Sequence, residues 1–407
     1  MPSDLRQTLE ARPARAAAGR MLLPLTLTLL VVEFLDEIVD GVYGAAWPLI
    51  RDDLRLSYTE IGVLLTVPTL VACVVEPLIF ILADVWRRRA LALAGGFAFA
   101  LAAAAVGASH GFAGLLAALV LFNPASGAFV NLSQASLMDL EPARREQNMA
   151  RWGVAGSLGN AAGPLAVAAA IGAGVGWRWL FAGLALLTLV VLALAWRAPY
   201  PTPAVADSEG ARAGLARGAR EAARALRRRG VWRWLVLLEL GDLSGDMLRG
   251  FVALYFVDVV GAGEAGAALA VAVWTWVGLA GDLAVVPLLE RVRGLSYLRV
   301  STAVVVVLFP LALLAEGFST KLVLLGLLGF ANAGWYAIIQ AKLYDELPGQ
   351  SGTVAMTLGN VFGLAGSLAP LALGAYAEAY GLGPMMWLLA LGPVALLLGL
   401  LTVKERR

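Results

Sequence analysis

The chain has 407 residues, 60% of them hydrophobic and only 15% charged, with a mean hydropathy of +0.79. A soluble domain carries about 25% charged residues, so this composition excludes a soluble globular fold and implies an integral membrane protein whose partner is the lipid bilayer. One cysteine, one histidine and a net charge of +2 leave no internal disulfide, no histidine-based metal cluster and no sign of a nucleic-acid partner.

Apolar stretches long enough to span hydrocarbon, about 20 residues each, recur from end to end. They are placed near 21–50, 58–83, 90–109, 112–140, 149–173, 177–196, 231–258, 264–289, 298–315, 320–343, 351–377 and 383–403. The first run has the Arg-bearing start of a signal peptide. It continues into Glu33 and Asp36 with no small-residue cleavage site, so it is read as a spanning helix. Segment 197–230, rich in Pro, Ala, Gly and Arg, is read as a cytoplasmic linker, either a solvated basic tether or one with a surface helix over 211–229. It divides the chain into six-helix halves, 1–196 and 231–407. All but Arg51, Arg55, Arg178, Arg249 and Lys321 of the 31 basic residues fall on one side of this topology. By the excess of Arg and Lys in cytoplasmic loops, both termini are expected in the cytoplasm, and a bacterial inner (plasma) membrane is the expected location.

The halves repeat each other. Glu33, Asp36 and Asp40 of the first helix match Glu239, Asp242 and Asp246 of the seventh, each 206 positions on. The same offset relates Glu76 to Asp282, Asp84 to Glu290 and Gln134 to Gln340, while Gly159-Asn160 matches Gly359-Asn360 at an offset of 200. The expected fold is therefore an all-α membrane protein of twelve transmembrane helices in two parallel-repeat halves.

Several motifs extend this. The loop L-A-D-V-W-R-R-R-A-L (82–91) is similar to the signature loop of the major facilitator superfamily, with Asp84 at its acidic position and Arg88 and Arg89 at its basic pair. Phe80 and Arg87 stand where that pattern has glycines. G-N-A-A-G-P, with Gly159, Asn160, Gly163 and Pro164, resembles the helix 5 element of the family's antiporters, although Val167-Ala168 replaces the Gly-Gly expected after it. G-W-R-W-L-F (176–181) and L-S-Y-T-E-I-G (56–62) resemble drug exporters and, distantly, fosmidomycin-resistance exporters. The resemblance implies a major facilitator fold and alternating-access transport without a cofactor, driven by the proton gradient. It also implies a cytoplasmic gate formed by Asp84, Arg88, Arg89 and Glu290.

Chemistry in such a chain lies in its buried charges, because a carboxylate at mid-membrane costs about 2.5 kcal/mol or more. At 100° per residue, Glu33, Asp36, Glu37 and Asp40 share one face of the first helix, continued by Tyr43 and Trp47. Glu239, Asp242, Asp246 and Arg249 form the matching stripe. Arg249, three residues after Asp246, is expected to pair with it, leaving Asp40 without a partner. Crowded carboxylates in a poorly solvated cavity take up protons readily, which suits a proton-coupled exporter of a cationic or amphipathic small molecule. A hard divalent cation held by oxygen ligands and a transporter-like sensor are the alternatives. Which metal, if any, stays open.

Gln134 and Gln340 are expected to orient substrate or tie helices together. Trp47, Trp274, Trp276, Trp335 and Tyr336 are candidates to stack on an organic cation or to form packing and interfacial belts. Gly159, Gly163 and Pro164 are expected to let helix 5 bend and pack against the second half. Gly261, Gly263 and Gly266 spell a dinucleotide motif but follow no strand, and no enzymatic nucleophile–base set is visible. A monomer is expected.

Overall fold

The computed structural model describes residues 3–85, 88–140, 145–197, 224, 227–346, 364 and 366–403. Six helices make the first half: α1 (Ser3–Leu54), α2 (Tyr58–Val85), α3 (Arg88–Gly107), α4 (Phe112–Leu140), α5 (Arg145–Gly172) and α6 (Trp177–Arg197). Six make the second: α7 (Arg229–Asp258), α8 (Gly263–Leu289), α9 (Gly294–Leu314), α10 (Phe318–Leu343), α11 (Ala369–Tyr380) and α12 (Leu382–Thr402). Among the described residues nine are long and apolar enough to cross a membrane. The other three are α1 and α7, which carry the acidic stripes, and α11, which begins where the description resumes. Exposed Leu, Val and Trp side chains cover the outside, as expected where lipid replaces water as the solvent. Most of the linker, most of the expected surface helix over 211–229 and Gly359-Asn360 lie outside the described residues.

Within the first half α5 lies along α1, and α3 packs on α4 and α6. Between halves, α2 packs on α11 and α5 on α8, and α1 meets α7 and α8. The sequence repeat pairs α2 with α8 and α5 with α11, so α2–α11 and α5–α8 are the same contact made twice, once from each half.

Glycine sets how closely α5 approaches α1. A methyl group on Gly163 would land on the backbone of Gly41 and Val42, and one on Gly159 on Phe34 and Glu37. This corrects the expectation that Gly159 and Gly163 face the second half. They lie flush on α1 of their own half, and α5 reaches across to α8 with other residues. Pro164 is accommodated inside α5 without ending it.

The repeat also shows in two irregular turns. After Pro124, α4 widens into a π-helical turn at Gly127–Asn131, a feature frequent at functional sites. The offset of 206 carries that turn onto 333–337, where α10 is interrupted at Gly334, whose φ of +72° suits a glycine. The carboxylate of Asp282 accepts the Gly334 N–H at 2.8 Å. Its repeat mate Glu76 lies against Gly127.

One end of the bundle is tied shut. Arg51 at the end of α1 forks onto Asp258 at the end of α7, with Nη2 to Oδ1 at 2.8 Å and Nη1 on Oδ2. The Tyr58 hydroxyl donates to the same carboxylate at 2.6 Å, and the Tyr58 N–H donates to Glu378 of α11 at 2.8 Å. Beside this clasp α2 and α11 touch backbone to backbone at Gly62, Pro370 and Gly374, and the Leu371 N–H reaches Thr66. Other basic residues near this end are satisfied too. Arg178 pairs with Asp53, and Lys321 donates to Tyr255 and to the last carbonyls of α9, Ala312 and Leu313, satisfying groups a helix end leaves open.

Candidate functional site

The four carboxylates of α1 point into three walls. Glu33, nearly buried, takes a hydrogen bond from Trp152 and lies against Gly156 of α5. Asp36 accepts the Ser126 hydroxyl of α4 at 2.7 Å, immediately before the π-helical turn. Asn160 of α5 places its amide between Glu37 and Asp40, 3.1 Å from each. Asn160 is thus a ligand of the acidic stripe, a role its place in a glycine-rich packing motif conceals. Asp40 continues toward α7, where Arg249 Nη1 lies 3.7 Å from its Oδ2.

That contact corrects the expectation for Arg249. Among the described residues its ion pair within 4 Å is with Asp40 of the opposite half, not with Asp246 one turn back on α7. The i, i+3 spacing permits the local pair, but α1 and α7 converge here. The Arg249 stem packs over Gly44 of α1, which brings the guanidinium to Asp40. Asp246 and Glu37 remain within electrostatic reach of it. The two side chains of the pair are 43% and 55% exposed. Charges at mid-helix that keep this much free surface are expected to line an internal polar cavity, since hydrocarbon does not tolerate them.

The remaining expected residues lie as follows. Glu239 is half-buried on α7, within electrostatic reach of Asp246, which is exposed. The Asp242 side chain lies outside the described residues. Gln134 and Gln340 are half-buried on α4 and α10, each beyond the irregular turn of its helix. Arg88 pairs with Asp139 at 2.6 Å, and Arg89 donates to the Trp196 carbonyl. Both partners belong to the first half, so these contacts bridge nothing between the halves. Glu290 is exposed at the end of α8, and the Asp84 side chain lies outside the described residues.

Glu76 was missing from the expected site. It faces Gly127 of the π-helical turn and lies within electrostatic reach of Asp36, which makes it a fifth carboxylate of the cluster. The sequence signal for it is the repeat, which matches it to Asp282. No group of three or more His, Cys, Asp or Glu arranged to hold a metal ion occurs among the described residues.

A cavity of about 170 Å³ opens beside Asp40 and reaches into the first half. Tyr43 borders it, with its ring edge-on to Trp47 and Phe181 at centroid distances of 4.6 and 6.5 Å. The Tyr43 hydroxyl is buried and has no hydrogen-bond partner among the described residues, a state that costs about 1–3 kcal/mol. The other aromatic candidates differ. Trp47 is sealed in the core, and Trp335 donates to Ser301 within the second half. Trp276 and Tyr336 are exposed.

The family model of the Major Facilitator Superfamily matches residues 29–370. The chain belongs to that superfamily and is a membrane transporter. Its fold is similar to that of a mutant form of the nucleoside transporter NupG, with a TM-score of 0.76 at 14% identity over 94% of this chain and 100% of that one. It is also similar to a bacterial homolog of the human lysosomal transporter Spinster in its inward-facing, unoccupied conformation, with a TM-score of 0.68 at 18% identity over 94% and 95% of the two chains. Comparison of the sequence with curated proteins finds no match.

Proposed function

We propose that the protein is a proton-coupled antiporter that exports a cationic or amphipathic small molecule by alternating access. The observation that carries this reading is the imbalance at the centre of the fold. Glu33, Asp36, Glu37, Asp40 and Glu76 gather around one face of α1, and among the described residues Arg249 is the cation beside them. Such a site attracts cations, and protons and substrate compete for the same oxygens, so exchange needs no further coupling part. The excess of basic residues on the side of the termini supports a cytoplasmic location for both, and with it an inward-facing state whose outer end is closed by the Arg51–Asp258 clasp. Residues 1–196 and 231–407 are the moving halves and 197–230 is their cytoplasmic linker, in a bacterial inner membrane. The asymmetry of acid over base also disfavours neutral nucleosides, the cargo named for the neighbour NupG.

The test is flux in proteoliposomes bearing a pH gradient, with organic ammonium ions, Mn²⁺ and nucleosides offered in turn. Cation-driven proton movement that Asp40→Asn abolishes, with cation binding that strengthens as pH rises, is expected. Transport indifferent to the gradient, or intact after neutralisation of Glu33, Asp36, Glu37 and Asp40 together, overturns the reading.

A further inference from the structure

We propose that the cavity beside Asp40 receives the apolar end of an ammonium substrate carrying one ring-sized group, and that Arg249 occupies the ammonium's place on Asp40 while the site is empty. The inference rests on the cation-transport reading and adds to it the shape and chemistry of the cargo.

Three observations converge. The first is size. An apolar cavity of about 150 Å³ holds a benzene-sized molecule, and this one measures about 170 Å³. Its apolar walls include Leu64, Leu65, Leu119, Phe122 and Phe181, which suit a phenyl ring or a branched alkyl group.

The second is the polar edge. Asp40 and Tyr43, one turn apart on α1, border the cavity together with Asn123. Thr69, also on its border, already donates its hydroxyl to the Leu65 carbonyl at 2.9 Å. The Tyr43 hydroxyl is a buried group with unused hydrogen-bonding capacity, one helical turn along α1 from Asp40.

The third is Arg249. Its 3.7 Å approach to Asp40 is long for a charge-assisted hydrogen bond, which runs at about 2.7–2.9 Å. Both side chains are open to solvent. A substrate ammonium displaces this loose pair, and the guanidinium returns to Asp246 on its own helix. Binding therefore breaks a mid-membrane ion pair between the halves, so occupancy of the cavity bears directly on how the halves are held together.

The test is isothermal titration of the whole protein in nanodiscs with methylammonium, propylammonium, phenethylammonium and naphthylethylammonium. Affinity is expected to rise by at least tenfold up to phenethylammonium and to fall for the naphthyl ligand, which exceeds the cavity. Thr69→Phe, which fills the cavity, is expected to weaken phenethylammonium at least tenfold while methylammonium changes less than threefold. Arg249→Gln is expected to tighten both severalfold by removing the competitor. Affinities that do not vary across the ligand series overturn the subsite while leaving the cation reading standing. Loss of both ligands in Thr69→Phe is decided by the wild-type series, which needs no variant. If none of the ammonium ions binds the wild type, both the subsite and the cation reading fall.

Discussion

The clasp at the closed end makes a sharp prediction. Asp258 accepts three hydrogen bonds, two from the Arg51 guanidinium and one from the Tyr58 hydroxyl. In Asp258→Asn the shape is kept and the charge is lost. Charge-assisted bonds are roughly twice as strong as neutral ones, and a bond to a charged group contributes about 1.5–3 kcal/mol against about 0.5–1.5 for a neutral pair. The carboxamide also keeps only one acceptor oxygen and turns the other into an N–H donor, so at least one of the three bonds is lost outright and the rest weaken, about 3 kcal/mol or more in all. The Arg51 and Asp258 side chains are only 15% and 20% exposed, so solvent screening removes part of this rather than all of it. A net loss of about 2 kcal/mol corresponds to a shift of about 30-fold toward opening of that end. The chain lends itself to the assay because Cys73 is its single cysteine. In a Cys73→Ser background, Thr66→Cys places a thiol at a position 1% exposed between α2 and α11. Its rate of reaction with an impermeant maleimide reports opening. Asp258→Asn is expected to raise that rate by about one to two orders of magnitude, and the exchanged pair Arg51→Asp with Asp258→Arg to restore it in part. An unchanged rate in Asp258→Asn would refute the reasoning and assign closure to the α2–α11 packing alone.

Two other expectations follow, one from the packing of α5 on α1 and one from the resemblance of the 82–91 loop to the signature loop of the superfamily. Gly163→Leu forces side-chain bulk into the backbone of Gly41 and Val42 and is expected to cost about 1–3 kcal/mol or more and to stop transport. Gly153→Ala on the same helix meets open space and is expected to be neutral or to stabilise by up to about 1 kcal/mol; equal melting temperatures for the two variants would refute close α1–α5 packing. Asp84→Asn is expected to act opposite to Asp258→Asn, favouring the state described here and lowering Thr66→Cys reactivity; no change would remove Asp84 from the gate.

Much of the site was legible in sequence because the chain states it twice. Acidic residues are expensive in an apolar helix, so Glu33, Asp36, Glu37 and Asp40 stand out against their background, and the 206-residue offset finds three of them again in α7. The repeat also contained Glu76, whose mate Asp282 is bonded to the Gly334 N–H of α10. Its significance emerges only when the π-helical turn of α4 is seen beside it. Asn160 was legible as part of a motif but not as a donor to two carboxylates, because spacing along one helix does not say which neighbour it faces. The clasp was not legible at all. Arg51 and Tyr58, Asp258, and Glu378 come from three distant parts of the chain and share no motif.

The sequence by itself determined the class of the molecule, its helix count and its two-part symmetry. Those follow from hydropathy and internal repetition, which are local or periodic properties of the chain. Tertiary structure decided the partners. Arg249 pairs with Asp40 rather than with Asp246 because α1 and α7 converge at Gly44, where the absence of a side chain lets the Arg249 stem lie across the helix. Periodicity fixes which face a residue occupies on its own helix. Which helix lies opposite is set by packing between segments about two hundred residues apart, and no local pattern carries that information.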